Sequence, residues 1–314
     1  MGHDRRFRFG VAATTATSGT AFCELARRAE SLGYSTLFVP DHFVDHPLAP
    51  MPALAAAAAV TTNLRVGPLV LGNDYKHPVV LAREAATLDV LSDGRLELGI
   101  GAGWMTADYE KAGIPLDRPG VRIRRLEESI AILKGLFGDE PFSFDGEHYT
   151  VTDLDGMPKP VQKPYPPFII GGGGPKILGV AAREAAIVGI NAFLRSGEPT
   201  SSESVQSLAP SATDQKVRWL RDAAGERFDD LELQTLVGFV LSTDDRASIG
   251  QGMAAAFGVE PEDALSAPVT LVGTQDQMIE ALEARRERWQ ISYVVIPSES
   301  MEMFAPVVSR LAGK

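Results

Sequence analysis

The stretch Phe168–Ile190 reads "FIIGGGGPKILGVAAREAAIVGI". A short apolar run, Phe168-Ile169-Ile170, ends on four glycines; a helical pattern opens near Pro175; a second apolar run, Ala186–Ile190, closes it. Strand, helix and strand in so few residues fit two parallel strands joined by a helical crossover. Phe7–Ala12, Ser35–Val39, Leu64–Leu71 and Arg95–Ile100 precede this unit, and Leu231–Leu241 and Ile291–Ile296 follow it. Most are short, rich in Val, Ile and Leu, and bounded by Gly or Pro, as strands buried on both faces are.

Helical stripes lie between them. Thr20–Leu32 carries Phe22, Leu25, Ala26, Ala29 and Leu32 on one face and stops at Gly33. Another helix opens at His77-Pro78 and runs through Leu91; Val121–Phe137 and Gln275–Trp289 read as two more. Eight strands alternating with helices in 314 residues predict an α/β chain, a (β/α)8 TIM barrel in one domain over residues 1–314, rather than an open doubly wound sheet. Two connections exceed simple loops. About residues 141–165, Phe142–Val151 alternates around Asp145-Gly146 and reads as an inserted hairpin. About residues 196–212, a segment rich in Ser, Pro and Glu reads as a mobile excursion. Both insertions belong at the C-terminal rim, where they either cover a substrate or decorate the surface.

Composition narrows the function. Hydrophobic residues at 45% and charged residues at 23% describe an ordinary globular chain. A formal charge of -11 argues against nucleic-acid or anionic-membrane partners, which need a basic footprint. No apolar run is long enough to span a bilayer, and Met1–Arg6 is followed by no apolar segment, so a cytoplasmic protein without secretory signal is expected. Cys23 is the only cysteine; an internal disulfide is excluded, and its helical context predicts a packed thiol.

In a barrel of this type the chemistry gathers where strands end. Strand two ends in Asp41-His42, the head of "DHFVDH". His42 and His46 lie four apart, a spacing that serves zinc on a helix, but Pro47 and Pro50 discourage a helix there and no HExxH pattern occurs. No metal is expected; Asp45 and His46 read as a solvated loop pair. Asp41 beside His42 at a barrel mouth can orient a proton donor near neutral pH. The run Gly171–Gly174 before Pro175-Lys176 supports two readings: backbone N–H groups and a helix N-terminus meeting a phosphate, or a tight turn needing unusual backbone angles. "LGIGAGW", Leu98–Trp104, lacks the spacing of a dinucleotide fingerprint; its small residues leave space for a flat ring bordered by Trp104.

Taken together, "HPVVLAREAATLDVLSDGRLELGIGAGW" (His77–Trp104), Asp41-His42, "PVQKPYPPFIIGGGGP" (Pro160–Pro175) and "YVVIPSESMEMFAPVVSRLAGK" (Tyr293–Lys314) resemble the luciferase-like monooxygenase superfamily in the family's own order. Within it the chain is most similar to oxidoreductases using the deazaflavin coenzyme F420, and FMN-dependent members share these motifs. The resemblance implies a flavin-like ring at the barrel mouth, hydride transfer to or from a small-molecule substrate, and a homodimer. By position it implies Asp41 and His42 near the reactive ring edge, and a non-prolyl cis peptide at Leu69-Val70 behind the ring, with Asn73 further along. It also implies Ala102, Gly103 and Trp104 beside the cofactor, and Gly172, Gly173, Gly174, Pro175 and Lys176 at its phosphate. In this expectation His42, oriented by Asp41, handles the proton. Trp104 departs from the glutamate that F420-dependent sugar-phosphate dehydrogenases carry there, which argues against sugar-phosphate oxidation and for a less polar substrate or one contacted by the inserted loops. Two other readings accompany this one: a monooxygenase taking reduced FMN from a partner reductase, and a barrel that binds an anionic ligand without redox chemistry.

Overall fold

The computed structural model describes residues 5–15, 18–44, 46, 48–194, 197 and 201–314. Strands β1 (Arg8–Ala12), β2 (Thr36–Val39), β3 (Arg65–Pro68), β4 (Leu71–Gly72) and β5 (Leu98–Gly101) come first, with helices α1 (Gly19–Ser31), α2 (Pro50–Val60) and α3 (Pro78–Leu91) between them. Helices α4 (Thr106–Ala112) and α5 (Pro119–Phe137) lead to β6 (Phe142–Asp145), β7 (Thr150–Leu154) and β8 (Phe168–Gly172). Then follow α6 (Pro175–Glu184), β9 (Ile187–Ile190), α7 (Ser202–Gln206), α8 (Pro210–Ala224), β10 (Glu232–Leu236) and β11 (Phe239–Ser242). The chain ends with α9 (Arg246–Phe257), α10 (Pro261–Ser266), β12 (Thr270–Gly273), α11 (Gln275–Trp289), β13 (Ile291–Pro297) and α12 (Met301–Leu311). Among the described residues, β1, β2, the β3–β4 pair, β5, β8, β9, β10 and β13 make eight parallel strand positions, and helix follows each, after the intervening β11 in the case of β10. This is the (β/α)8 class that the alternation predicts.

The residues fall into two compact units. One holds Ala13–Glu30 and Thr36–Ile170. In it β2 runs parallel to β3 from Thr36 opposite Arg65 to Val39 opposite Pro68, Val66 bridges Leu96, β4 pairs β5, and β5 pairs β8 through Leu98 opposite Phe168. The other holds the residues up to Ala12, Ser31–Ser35 and Gly171–Lys314. There β1 pairs β13, β13 pairs β10 and β10 pairs β9, all parallel. Leu37, Phe38, Ile169, Ile170, Val294 and Val295 are essentially inaccessible, which is why these strands are apolar runs without a polar alternation.

Local sequence explains the helix ends. Ser18 Oγ accepts from the Ala21 amide at the start of α1, and Gly33, with φ of +84°, sits just beyond its end. His77 caps α3 by accepting from the Val79 amide while Pro78 occupies the first turn. Thr274 and Gln277 form a reciprocal capping box on α11.

Four expectations change. The third run divides into β3 and β4, and the Leu69-Val70 bond between them is cis, as the resemblance implies. The seventh run also breaks: the Val237 amide donates to Val295, but those of Gly238 and Phe239 turn to Val269, so β11 joins β12 in a separate parallel pair. The expected hairpin, by contrast, does form, as β6 and β7, antiparallel with Asp145 opposite Thr150. The second excursion, within its described residues, is helical: α7 is capped by Ser201, and α8 begins at Pro210. Arg195, Ser196 and 198–200 lie outside the described residues. Cys23 is half-buried rather than packed away. Among the described residues no helix is long and apolar enough to cross a membrane.

Candidate functional site

At the end of β2 the side chains of Asp41 and His42 part company. Asp41 Oδ2 accepts the Gly72 amide at 3.0 Å. Its carboxyl is raised above the ordinary value near 3.8, chiefly because burial disfavours the charge, with the Gly72 N–H, Lys76 and His42 pulling the other way. His42 turns to a different acid: its Nδ1 lies 2.6 Å from Asp108 Oδ2. The expectation that Asp41 orients His42 is therefore corrected, since Asp41's accepting oxygen is engaged by a backbone amide and Asp108 holds the ring. Asp108 is completely buried at the start of α4, where its other oxygen accepts the amides of Phe43 at 2.9 Å and Val44 at 3.1 Å. The Tyr75 hydroxyl donates to Asp108 Oδ2 at 3.3 Å, and burial followed by the Asp108 charge pushes that phenol's pKa upward.

The His42 ring meets Trp104 edge-on at 5.4 Å between centroids and a tilted His46 ring at 5.1 Å. His46 is half-buried with Nδ1 3.1 Å from the Val44 carbonyl, not freely solvated; Asp45, its expected pair, and Pro47 lie outside the described residues. An edge-on indole against an imidazole leaves one ring flank apolar and the Asp108 side polar.

The glycines of "LGIGAGW" have internal work. A Cβ on Gly99 would lie 2.1 Å from the Pro68 carbonyl and 3.0 Å from Val70 Cγ1; one on Gly101 would lie 2.8 Å from Val70 Cγ2. The room that Gly99 and Gly101 leave beside β5 is taken by Pro68 and the Val70 side chain. Gly103 has φ of +76°, and a Cβ there would collide with the Tyr109 hydroxyl. Arg122 spans this turn, donating to the Ala102 carbonyl at 3.0 Å and also to that of Gly103. Asp74 accepts from Tyr109 at 3.0 Å and from Arg125 at 2.8 Å. Next to it Asn73 is buried, and its side-chain Nδ2 has no hydrogen-bond partner among the described residues. A buried amide donor left open is costly unless a ligand or water meets it.

In the other unit, none of Gly171–Gly174 has a positive φ, so the tight-turn reading is corrected: unusual backbone angles do not explain the run. Close approach does. Added Cβ atoms would meet Asn191 Nδ2 at 2.6 Å from Gly171, Ile177 at 2.3 Å from Gly172, the Ala192 carbonyl at 2.1 Å from Gly173 and the Phe193 ring at 2.5 Å from Gly174. Helix α6 starts on Gly174 with Pro175 in its first turn and no side-chain cap. Its first amides have no partner inside the helix, which is the arrangement that suits an anion. The Lys176 side chain is exposed in that turn. A cleft of about 160 Å³ opens between Gly173, Gly174, Phe193, Ser207, Lys216 and Trp219. Lys216 is buried, donates at 2.6 Å to the carbonyls of both Asn191 and Ser207, and has its pKa pushed down by burial to about 8.

Sequence reading missed Asp108 and Lys216. Asp108 lies 66 residues from His42 and carries no local signal. Lys216 did leave one: it falls on the buried stripe Thr213, Lys216, Val217 and Leu220 of α8, a core position where a lysine is out of place.

Comparison with known proteins supplies the family context. A family model described as luciferase-like monooxygenase matches residues 6–209. An uncharacterised protein of Mycobacterium tuberculosis is 33% identical over 188 residues, covering 53% of this chain and 65% of that protein, so this chain matches just under two thirds of that relative's length. An F420-dependent glucose-6-phosphate dehydrogenase of Nakamurella multipartita is 28% identical over 298 residues, covering 91% of this chain and 83% of that enzyme. Among solved structures, the coenzyme F420-dependent tetrahydromethanopterin reductase from Methanopyrus kandleri superposes with a TM-score of 0.77 at 20% identity over 98% of this chain and 100% of that one. The oxygenating constituent of 3,6-diketocamphane monooxygenase from Pseudomonas putida, in complex with FMN, gives 0.70 at 18% identity over 98% of each. At such identities the structural likeness shows a shared fold.

Proposed function

The chain belongs to the luciferase-like monooxygenase family, and from that premise we propose that it is an oxidoreductase transferring hydride between coenzyme F420 and a small, weakly polar organic substrate. The observation that carries the choice is the F420-dependent dehydrogenase matched over 91% of this chain. Two features of the chain suit a phosphate-bearing ring cofactor: the open donor on buried Asn73 and the uncapped N-terminus of α6. In this reading Asp41, Leu69, Val70, Asn73, Ala102, Gly103 and Trp104 would hold a flavin-like ring. Gly172, Gly173, Gly174, Pro175 and Lys176 would hold a phosphate group. Residues 1–314 then act as one catalytic domain, in the cytoplasm and as a homodimer.

The bound ring supplies the hydride chemistry, and the protein supplies position and polarity. His42 holds or moves the proton at its Nε2, since Nδ1 is committed to Asp108. Trp104 excludes water from one side of that imidazole. Asp41 keeps the backbone at Gly72 in place.

A second reading keeps the fold and takes reduced FMN from a reductase in trans for oxygenation; the FMN-bound structural neighbour favours it. Titration of the purified chain with F420 and with FMN in parallel, followed by cofactor absorbance and fluorescence, separates them. Saturable binding of F420 with weak or no response to FMN is expected. Tight FMN binding without F420 response overturns the proposal for the oxygenase, and silence toward both leaves a barrel that binds some other ligand.

A further inference from the structure

Asp108 has more ligands than a structural carboxylate needs, and their arrangement fixes where His42 carries its hydrogen. One oxygen is taken by two backbone amides, those of Phe43 and Val44. The other meets the Tyr75 hydroxyl at 3.3 Å and His42 Nδ1 at 2.6 Å. Three of these four partners are N–H or O–H donors, so Asp108 faces the imidazole as an acceptor. A neutral imidazole has one donor and one acceptor nitrogen, and the partner of one decides the state of the other. The groups around the ring do not compete for the role: Asp41 accepts from Gly72, His46 is turned to the Val44 carbonyl, and Trp104 presents a ring edge. Lys76 pairs with Glu84.

We infer that Asp108 is a positioning residue that locks neutral His42 in the Nδ1–H tautomer, leaving Nε2 as a bare acceptor for a proton from substrate or solvent. The inference deepens the reading of His42 as the proton-handling group and rests on it for its functional meaning, but the tautomer itself is a property of the free protein. Asp108 acts through His42 and not by touching substrate or ring. The same carboxylate also ties down the loop after β2, so its loss has a structural component. The test must separate the two effects.

Asp108→Asn does so. Its carbonyl oxygen can still accept the Phe43 and Val44 amides, which leaves the NH2 group facing His42 Nδ1. An NH2 donor there requires Nδ1 to accept, which moves the hydrogen to Nε2 and removes the acceptor. A wrong-tautomer histidine of this kind costs turnover steeply in other enzymes that pair His with Asp, by about 10⁴-fold in one measured case.

The readout is the pair of ring 15N chemical shifts of His42, assigned by their loss in His42→Gln, in mildly alkaline buffer. The wild-type protein should show a protonated Nδ1 and an unprotonated Nε2; folded D108N should show the reverse. A role confined to holding the loop would leave the tautomer unchanged in D108N, and that result overturns the inference. So does an Nε2–H tautomer in the wild-type protein, which decides the matter even if D108N fails to fold. Both proteins are also titrated with F420 and with FMN. A wild-type chain that binds neither would sink the proposed function while leaving the tautomer result to stand or fall by itself.

Discussion

The Gly72 amide donates to Asp41 Oδ2 across 3.0 Å, joining the segment that leaves β2 to the short strand that follows the cis Leu69-Val70 bond. A backbone N–H asks only for an acceptor, and a neutral amide oxygen would serve as well as a carboxylate. The charge on Asp41 is therefore a burden to folding: burial raises its pKa despite the help of Gly72, Lys76 and His42.

Asp41→Asn tests this through the sign of its pH dependence. An acid whose folded pKa exceeds its unfolded one binds its proton more tightly in the native state. Stability is then lost as pH rises through the window from the unfolded pKa, near 3.8, up to the raised folded value. The substitution removes that loss. The melting temperature of D41N minus that of the wild type should grow as pH rises through the window, and should be neutral or positive near pH 7. A difference that stays flat with pH, or turns negative at neutral pH, contradicts the account.

Gly173→Ala places a methyl 2.1 Å from the Ala192 carbonyl and 2.6 Å from the Phe193 amide, both backbone atoms that cannot swing aside. Either the β8–α6 turn or the strand end at β9 must shift. Overpacking of this kind costs ~1–3 kcal/mol, measurable as a lower urea midpoint with an unchanged slope. The same shift should weaken binding of inorganic phosphate or of a phosphate-bearing cofactor at α6. Wild-type stability in G173A would mean that the turn is softer than its contacts imply.

Glu128 on α5 accepts three consecutive amides of the β6–β7 hairpin: Glu147 at 2.8 Å, His148 at 2.9 Å and Tyr149 at 3.1 Å. Hydrogen bonds to a charged acceptor contribute more than neutral ones, roughly 1.5–3 kcal/mol each. In Glu128→Ala, hydrogen exchange at those three amides should speed up by on the order of tenfold or more, since 1.4 kcal/mol is one decade. Global unfolding should change far less, because the hairpin is an inserted pair and not part of the parallel strand set. Equal exchange in variant and wild type would show that the hairpin is held elsewhere.

The strand ends that carry the candidate residues were legible in the sequence because their signals are local. The four glycines lie at the junction between β8 and α6, where an apolar run meets a helical period. Asp41 and His42 follow β2 with only Pro40 between them, whereas the cis bond at Leu69-Val70 is implied by the family resemblance and not by any local period. Strand periodicity, caps and turn residues are properties of neighbours along the chain, so composition and spacing disclose them.

What residues do for one another at a distance is another matter. Nothing near His42 identifies Asp108, 66 residues away, as the acid it meets. Nor does Gly99-x-Gly101 say that its space belongs to Val70. The seventh apolar run reads as one strand, yet it breaks at Val237-Gly238 because successive amides find partners on β13 and then beside β12. The sequence by itself determined the alternation of strand and helix, and with it the strand ends that carry the candidate chemistry. Which side chain pairs with which, and which glycine is hollow or filled, was decided only when elements tens of residues apart packed together, because hydrogen bonds and close contacts depend on three-dimensional approach that no local period encodes.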